Sequence, residues 1–214
     1  MKRLACFDLD NTLIDRDGAF RAWAEVFTAE LGAEALEWFL AMDLGGYRPR
    51  GELFAAARER FGLAAGVEEL IAAYDVEHPT FTWCEPAVFE GLARLRADGW
   101  TVVVVTNGGT VQQSRKLAHT GIGEVVDYSC ISQTEGVGKP DPRIFEIAAE
   151  RTGTALAGGW MVGDRLELDI AGGQAAGLST ILVGTDRGGR NAGEVRADVV
   201  VGNVVRAFEV IAGS

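Results

Sequence analysis

Lysine is scarce in this sequence, and acidic residues outnumber basic ones. The 214 residues carry a formal net charge of −11, and only three of them are lysines, namely Lys2, Lys116 and Lys139. A protein that binds nucleic acid or an acidic membrane through surface charge needs an excess of positive residues. We therefore expect neither a nucleic-acid partner nor a membrane partner. Because lysines are so few, the chemical setting of each one is informative.

Cysteine and long apolar runs are also sparse. The three cysteines, Cys6, Cys84 and Cys130, show no CxxC spacing. This argues against a disulfide framework and against a zinc site, and it is typical of a reducing compartment. No run of 18 apolar residues occurs, so we expect no transmembrane helix. Together these features predict a cytoplasmic protein.

The hydrophobic residues that are present, 48% of the chain, follow two different periodicities. Apolar residues recur at helical spacing from about residue 18 to 82 and predict four helices without a strand. Outside that segment, short apolar strands alternate with helices, which is typical of a parallel sheet covered on both faces. The strands are expected near residues 4–7, 101–105, 125–131, 160–162, 180–183 and 199–201.

The fold class that follows is α/β, a Rossmann-like parallel sheet with helices on both faces and a helical insertion after its first strand. We expect a core domain in residues 1–16 and 86–214, and a helical domain in residues 17–85. A chain of this length accommodates one domain, or a core domain with a smaller insertion.

The segment Phe7-Asp8-Leu9-Asp10-Asn11-Thr12-Leu13 carries the strongest chemical signal. Side chains two residues apart point the same way in a strand, so Asp8 and Asp10 are expected to converge where the first strand ends. Ligands of open α/β sheets bind at that edge. Two carboxylates held together are costly unless one is protonated or a cation joins them. The pair suits Mg²⁺, which prefers oxygen ligands.

Polar residues also follow the other predicted strands. Thr106 and Asn107 follow a run of four valines, Lys139 precedes a helix, and Asp164 and Asp169 follow the fourth strand. Each feature alone has an ordinary reading, as a turn or as a solvated charge. Occurring together at one sheet edge, they indicate metal-assisted phosphoryl transfer.

These residues, in this order, resemble the four motifs of the haloacid dehalogenase superfamily. The motifs are Asp8-x-Asp10-x-Thr12, Thr106-Asn107, Lys139-Pro140 and Gly163-Asp164-x-x-x-x-Asp169. The resemblance covers essentially the whole chain, and the helical insertion is similar to the C1-type cap of that superfamily.

The resemblance implies a role for each motif residue. Asp8 would be the nucleophile that forms an aspartyl-phosphate, and Asp10 the general acid and base. Mg²⁺ would be held by the carboxylates of Asp8 and Asp164 and by the backbone carbonyl of Asp10. The transferring phosphoryl group would be bound by Thr106, the Asn107 backbone and Lys139. Asp169 would orient Lys139 or hold a metal-bound water.

The function implied is a Mg²⁺-dependent phosphatase that hydrolyses a small phosphorylated metabolite of the nucleotide, sugar-phosphate or phosphoglycolate class. A phosphomutase of the same superfamily is the alternative. A 2-haloacid dehalogenase and a non-catalytic phosphate-binding module are more distant, because Asp10 would serve neither of them. A monomer or a homodimer fits equally well.

The sequence singles out several other residues. Arg165 is expected either in a salt bridge or as an extra cation beside the metal. Candidates for contacting the leaving group are Tyr47, Arg48, Arg50 and Trp83. We expect Lys116 on a solvated helix face and Cys6 in the core, and assign no role to His78 or His119.

Overall fold

The computed structural model describes residues 3–184 and 195–214, so Lys2 lies outside the described residues. The chain divides into two compact units. One unit comprises Met1–Ile14 and Cys84–Ser214, and the other comprises Asp15–Trp83.

The unit Asp15–Trp83 contains four α-helices, as the periodicity predicts. They are α1 (Arg16–Phe27), α2 (Ala35–Asp43), α3 (Arg50–Phe61) and α4 (Val67–Glu77). The Asp15 carboxylate caps α1 by accepting the Gly18 N–H at 3.0 Å, which satisfies one of the free donors at the helix start. The core of this unit is aromatic and buried, built around Phe20, Trp23, Phe39, Phe54 and Tyr74. That this helical unit acts as a cap stays a prediction.

A buried ion network, the arginine cluster, joins Arg16, Asp43 and Arg50 in the same unit. Arg16 Nη1 donates to Asp43 Oδ2, and Arg16 Nη2 donates to Asp43 Oδ1 at 2.7 Å. Arg50 Nη2 donates to Asp43 Oδ1 at 2.6 Å. Burial raises the pKa of Asp43, but the two guanidinium groups outweigh burial and hold that pKa below its usual value.

The other unit is built on a parallel sheet, which confirms the predicted fold class. Its six described strands are β1 (Arg3–Phe7), β2 (Trp100–Thr106), β3 (Tyr128–Ile131), β4 (Ala155–Gly163), β5 (Ser179–Val183) and β6 (Val199–Val201). Their order is β3-β2-β1-β4-β5-β6, and every neighbouring pair is parallel. The apolar stretch from residue 125 becomes a strand only at Tyr128, because a short helix occupies Ile122–Val125.

Helices connect the strands and cover both faces of the sheet. They are α5 (Pro86–Ala97), α6 (Thr110–Thr120), α7 (Ile122–Val125), α8 (Ser132–Glu135), α9 (Arg143–Thr152), α10 (Ala171–Ala175) and α11 (Val204–Ala212). A π-helical turn, Leu166–Ile170, leads into α10. None of the described helices is long and apolar enough to cross a membrane.

The alternation of strand side chains separates two cores. Ala5 and Phe7 of β1 pack on the face that also receives α5 and α11. Leu4 and Cys6 point to the opposite face, where α9 packs. Cys6 is fully buried, as expected, and burial raises the pKa of its thiol.

The strand order reverses direction between β1 and β4. Connections from β1 lead to β2 and β3 on one side, whereas β4, β5 and β6 follow on the other. The carboxyl ends of the two strands at such a switch point flank a crevice in which ligands bind. The first and fourth strands are the ones followed by Asp8 and Asp164.

Candidate active site

A compact turn after β1 presents both carboxylates of the first motif. The Asp8 N–H donates to the Val162 carbonyl at 2.9 Å, which extends the β1–β4 ladder by one residue. The chain then turns through Asn11, whose φ of 60° lies in the left-handed region that asparagine tolerates. The Leu9 carbonyl closes the turn by accepting the N–H groups of Thr12, Leu13 and Ile14.

Lys139 is buried between two carboxylates. Its Nζ donates to Asp8 Oδ1 at 2.6 Å and to Asp169 Oδ1 at 2.7 Å, and its side chain is only 2% exposed. Burial alone would lower the pKa of a lysine, but the two carboxylates outweigh it and raise the pKa of Lys139. The ammonium group is therefore a fixed positive charge beside Asp8.

Asp8, Asp164 and Asp169 form what we call the carboxylate cluster. Each offers one carboxylate oxygen, and these three oxygens lie within 4.8 Å of one another. Both oxygens of Asp164 are buried and have no hydrogen-bond partner among the described residues. Burial, with the nearby carboxylates, raises the pKa of Asp8 to about 7 and that of Asp164 to about 8.

This arrangement fits a divalent cation. Buried carboxylate oxygens without donors are costly for the protein alone. Hard cations such as Mg²⁺ are bound by one or two carboxylates of this kind, together with water and phosphate oxygens. The donor set contains oxygen only, which suits Mg²⁺ better than zinc.

Asp169 is held against the backbone at the end of β4. Its Oδ2 accepts the Arg165 N–H at 3.0 Å, while Oδ1 accepts from Lys139. A Cβ at Gly163 would lie 2.2 Å from the Asp169 carboxylate, so a residue larger than glycine would displace it. The glycine of the fourth motif therefore makes room for the residue that anchors Lys139.

The second and third motifs are joined by a reciprocal pair of hydrogen bonds. The Asn107 side chain donates to the Lys139 carbonyl and accepts the Lys139 N–H, both at 2.8 Å. A Cβ at Gly138 would lie 2.7 Å from Asn107 Oδ1. The Asn107 side chain thus aligns the backbone that carries Lys139, which is a role the sequence did not reveal.

Lys116 contradicts the prediction that it lies on a solvated helix face. Its side chain is 2% exposed, and its Nζ lies 2.8 Å from Oδ1 and 2.7 Å from Oδ2 of Asp10. Gln113, one turn earlier on α6, donates from Nε2 to Asp10 Oδ2 at 3.1 Å and to Thr106 Oγ1 at 2.6 Å. The Asp10 carboxylate therefore pairs with α6, outside the carboxylate cluster.

Two sequence signals could have revealed this contact. The i, i+3 spacing places Gln113 and Lys116 on the same face of α6. That helix begins directly after the second motif, so its first turns lie near the carboxyl edge of the sheet. A lysine in a chain with three of them, on a helix at that edge, was a candidate partner for Asp10.

The sequence also singled out several further residues. Tyr47, Arg48, Arg50 and Trp83 all belong to the helical unit, where Arg50 pairs with Asp43 and Arg48 Nε donates to the Met42 carbonyl. Trp83 is 58% exposed. Arg165 Nε lies 4.0 Å from Asp164 Oδ1, which is at the limit of an ion pair. His78 is buried beside Tyr74, and His119 is exposed.

Comparison with known proteins agrees with the resemblance that the four motifs indicate. Residues 2–177 match the family described as haloacid dehalogenase-like hydrolase. The chain is 33% identical over 198 residues to glyceraldehyde 3-phosphate phosphatase of Methanopyrus kandleri, covering 86% of this chain and 84% of that protein. It is 32% identical over 206 residues to phosphoserine phosphatase of Thermus thermophilus, covering 90% and 79% respectively.

A solved structure agrees with the fold. YfnB from Bacillus subtilis, described as a HAD-hydrolase, superposes with a TM-score of 0.78 at 22% identity, and the match covers 98% of both chains. The family match and the two phosphatases, which are similar over most of the chain, agree with the four sequence motifs. The chain belongs to the haloacid dehalogenase-like hydrolases and is a phosphatase.

Proposed function

We propose that this phosphatase hydrolyses a small phosphorylated metabolite in a Mg²⁺-dependent reaction that passes through an aspartyl-phosphate on Asp8. The observation that carries the proposal is Asp164, whose two buried oxygens lack a hydrogen-bond partner among the described residues. The two relatives named above are phosphatases of small phosphate esters. This supports a substrate of similar size from the sugar-phosphate, nucleotide or phosphoglycolate classes.

Asp8 and Asp164, with the backbone carbonyl of Asp10, would hold Mg²⁺. Asp169 would orient a water on the ion, in addition to accepting from Lys139 through Oδ1 and from the Arg165 N–H through Oδ2. When bound, the ion would supply positive charge that offsets the repulsion between a carboxylate and a phosphate dianion.

Asp8 is the nucleophile in this proposal. One of its oxygens attacks phosphorus, the bond from phosphorus to the ester oxygen breaks, and an acyl-phosphate forms. Lys139, fixed 2.6 Å from Asp8 Oδ1, would stabilise the negative charge that shifts onto the phosphoryl oxygens. Thr106, which is 1% exposed, and the backbone N–H of Asn107 would bind the same group.

Asp10 provides the proton transfers. It protonates the leaving oxygen in the first half-reaction and takes a proton from water in the second, when water attacks the aspartyl-phosphate. The products are an alcohol and inorganic phosphate. A haloacid dehalogenase requires no acid for its leaving group, so Asp10 favours phosphate esters. A phosphomutase would use the same two residues but would return the phosphoryl group to its substrate.

Phosphate release from a panel of nucleotides, sugar phosphates, phosphoserine and phosphoglycolate would test the proposal. We expect release in the presence of Mg²⁺, loss of release in EDTA, and loss in Asp8→Asn of at least about 1,000-fold. The matched control is Asp98→Asn, which removes an exposed carboxylate from the same unit and should retain full activity.

Three outcomes would contradict the proposal. Activity retained in Asp8→Asn would exclude it as the nucleophile. Activity unaffected by EDTA would exclude a metal requirement. Conversion of a sugar phosphate into its isomer without free phosphate would favour the mutase.

A further inference from the structure

Two donors from α6 hold the Asp10 carboxylate through three contacts. Lys116 Nζ contacts both of its oxygens, and Gln113 Nε2 contacts Oδ2 at 3.1 Å. Contacts to both oxygens fix the plane of a carboxylate as well as its position. The Asp10 side chain is 25% exposed, so it remains accessible from another direction.

The two donors are themselves buried. Lys116 is 2% and Gln113 is 1% exposed. Burying an ammonium group is costly unless it has a charged partner, and here the contacts reach a carboxylate that is a quarter exposed.

Gln113 also connects Asp10 to the phosphoryl-binding region. The same Nε2 that donates to Asp10 lies 2.6 Å from Thr106 Oγ1. Gly108, with φ of 149°, follows Asn107, and a Cβ there would lie 2.9 Å from Gln113 Cγ. The backbone after the second motif is therefore shaped around the Gln113 side chain.

We infer that Lys116 and Gln113 are positioning residues that hold the Asp10 carboxylate at the location from which it exchanges protons with the ester oxygen and with water. The inference rests on the proposed role of Asp10. A displacement of about 1 Å at a reacting group costs on the order of 100-fold in rate. Positioning residues of this kind affect the chemical step and leave substrate binding largely intact.

The test compares two esters in the presence of Mg²⁺, using glycerol 3-phosphate or the best alkyl ester of the panel, and p-nitrophenyl phosphate. Lys116→Met should lower kcat for the alkyl ester by about 10- to 100-fold and change KM by less than about 3-fold. The loss in kcat/KM, which reports the step that expels the leaving group, should be smaller for p-nitrophenyl phosphate, whose leaving group needs little protonation. Lys116→Arg, which keeps the charge, should recover part of kcat.

Arg115→Met is the matched control. It removes one positive charge from the exposed face of the same helix, one residue away, and should leave kcat unchanged for both esters. A double-mutant cycle adds the decisive comparison. If Lys116 acts through Asp10, adding Lys116→Met to Asp10→Asn should cost little further activity.

Each outcome decides the matter. Equal losses in kcat/KM on both esters, a rise in KM without a fall in kcat, or additive losses in the double variant would overturn the inference. If the wild type is active and Asp10→Asn is slow, but Lys116→Met is unaffected, the inference is wrong and the proposed function stands. A wild type that releases no phosphate would overturn both. If Lys116→Met does not fold, Gln113→Leu must show the same leaving-group dependence or the inference is wrong.

Discussion

The two units each contain a buried ion network. One network has an excess of positive groups, and the other has an excess of negative groups. In the arginine cluster, two guanidinium groups share one carboxylate, and the pKa of Asp43 is lowered. In the carboxylate cluster, one ammonium group contacts two of the three carboxylates, and the pKa values of Asp8 and Asp164 are raised to about 7 and about 8.

The excess charge is accommodated in only one of the two networks. Arg16 lies over the Phe20 ring at 4.7 Å and Arg50 over the Tyr74 ring at 5.0 Å, and aromatic faces attract cations. Asp164 has Arg165 Nε at 4.0 Å from Oδ1, but its oxygens have no hydrogen-bond partner in the described residues. A network whose charged forms are stabilised serves the fold, whereas one whose charged forms are destabilised is suited to binding a ligand.

The largest effect that separates the networks is expected from Asp164→Asn. Phosphate release should fall by roughly 1,000-fold, about 4 kcal/mol of transition-state stabilisation. Because the substitution removes a carboxylate from an excess of carboxylates, the unfolding midpoint in EDTA should be unchanged or higher. Activity assays and thermal melts of the same preparations would measure both.

Mg²⁺ supplies the control for that variant. An ion present at 100 times its dissociation constant should stabilise the wild type by about 2.7 kcal/mol, and should stabilise Asp164→Asn much less. A variant that is clearly less stable than the wild type in EDTA would show that the carboxylate cluster contributes to the fold after all.

For Asp43→Asn, in contrast to Asp164→Asn, we expect a loss of stability. The substitution deprives two largely buried guanidinium groups of the negative charge they share, which should lower the free energy of unfolding by about 3–5 kcal/mol. Urea unfolding followed by circular dichroism would measure the change. Glu34→Gln is the matched control, because its bridge to Arg60 joins side chains that are 46% and 73% exposed, and it should change stability by less than about 1 kcal/mol.

The smallest expected effect is a pH dependence of the difference in unfolding free energy between the wild type and Asp43→Asn. Asp43 has an ordinary pKa of 3.8 in the unfolded chain and a lower one in the folded protein. Its contribution to stability is therefore fully present above the unfolded value and is lost as the pH falls through the folded value. The difference in unfolding free energy between the wild type and Asp43→Asn should be constant above about pH 5 and should shrink below about pH 4. A difference that shrank on the alkaline side would contradict this assignment.

Sequence periodicity was sufficient for most of the fold. Strands such as β2 are buried along their whole length, and the run of valines that fills β2 is readable without a structure. The predicted boundaries of the strands were less accurate. The predicted strand at residues 160–162 is the last part of β4, which begins at Ala155. Its first residues include Gly158 and Gly159, which carry no apolar signal.

The proximity of the candidate residues could be predicted where a motif lies at a strand end, but not where a helix supplies the contact. Asp8, Lys139 and Asp169 follow or precede regular elements, and the structure brings them together as expected. Lys116 was wrongly placed because a lysine on an amphipathic helix is usually solvated, and only the tertiary contact with Asp10 makes it buried. Asp10 and Lys116 are separated by 106 positions in the chain, so local pattern could not connect them.

The position of β1 in the middle of the sheet has a consequence for the order in which the protein assembles. β1 precedes the helical unit in the chain, but its two sheet neighbours, β2 and β4, both follow that unit. The contacts within Asp15–Trp83 are closer in sequence and close smaller loops, which forms them faster. The strand that leads to Asp8 is therefore synthesised before the helical unit, but it can pair with its two sheet neighbours only after that unit has been synthesised.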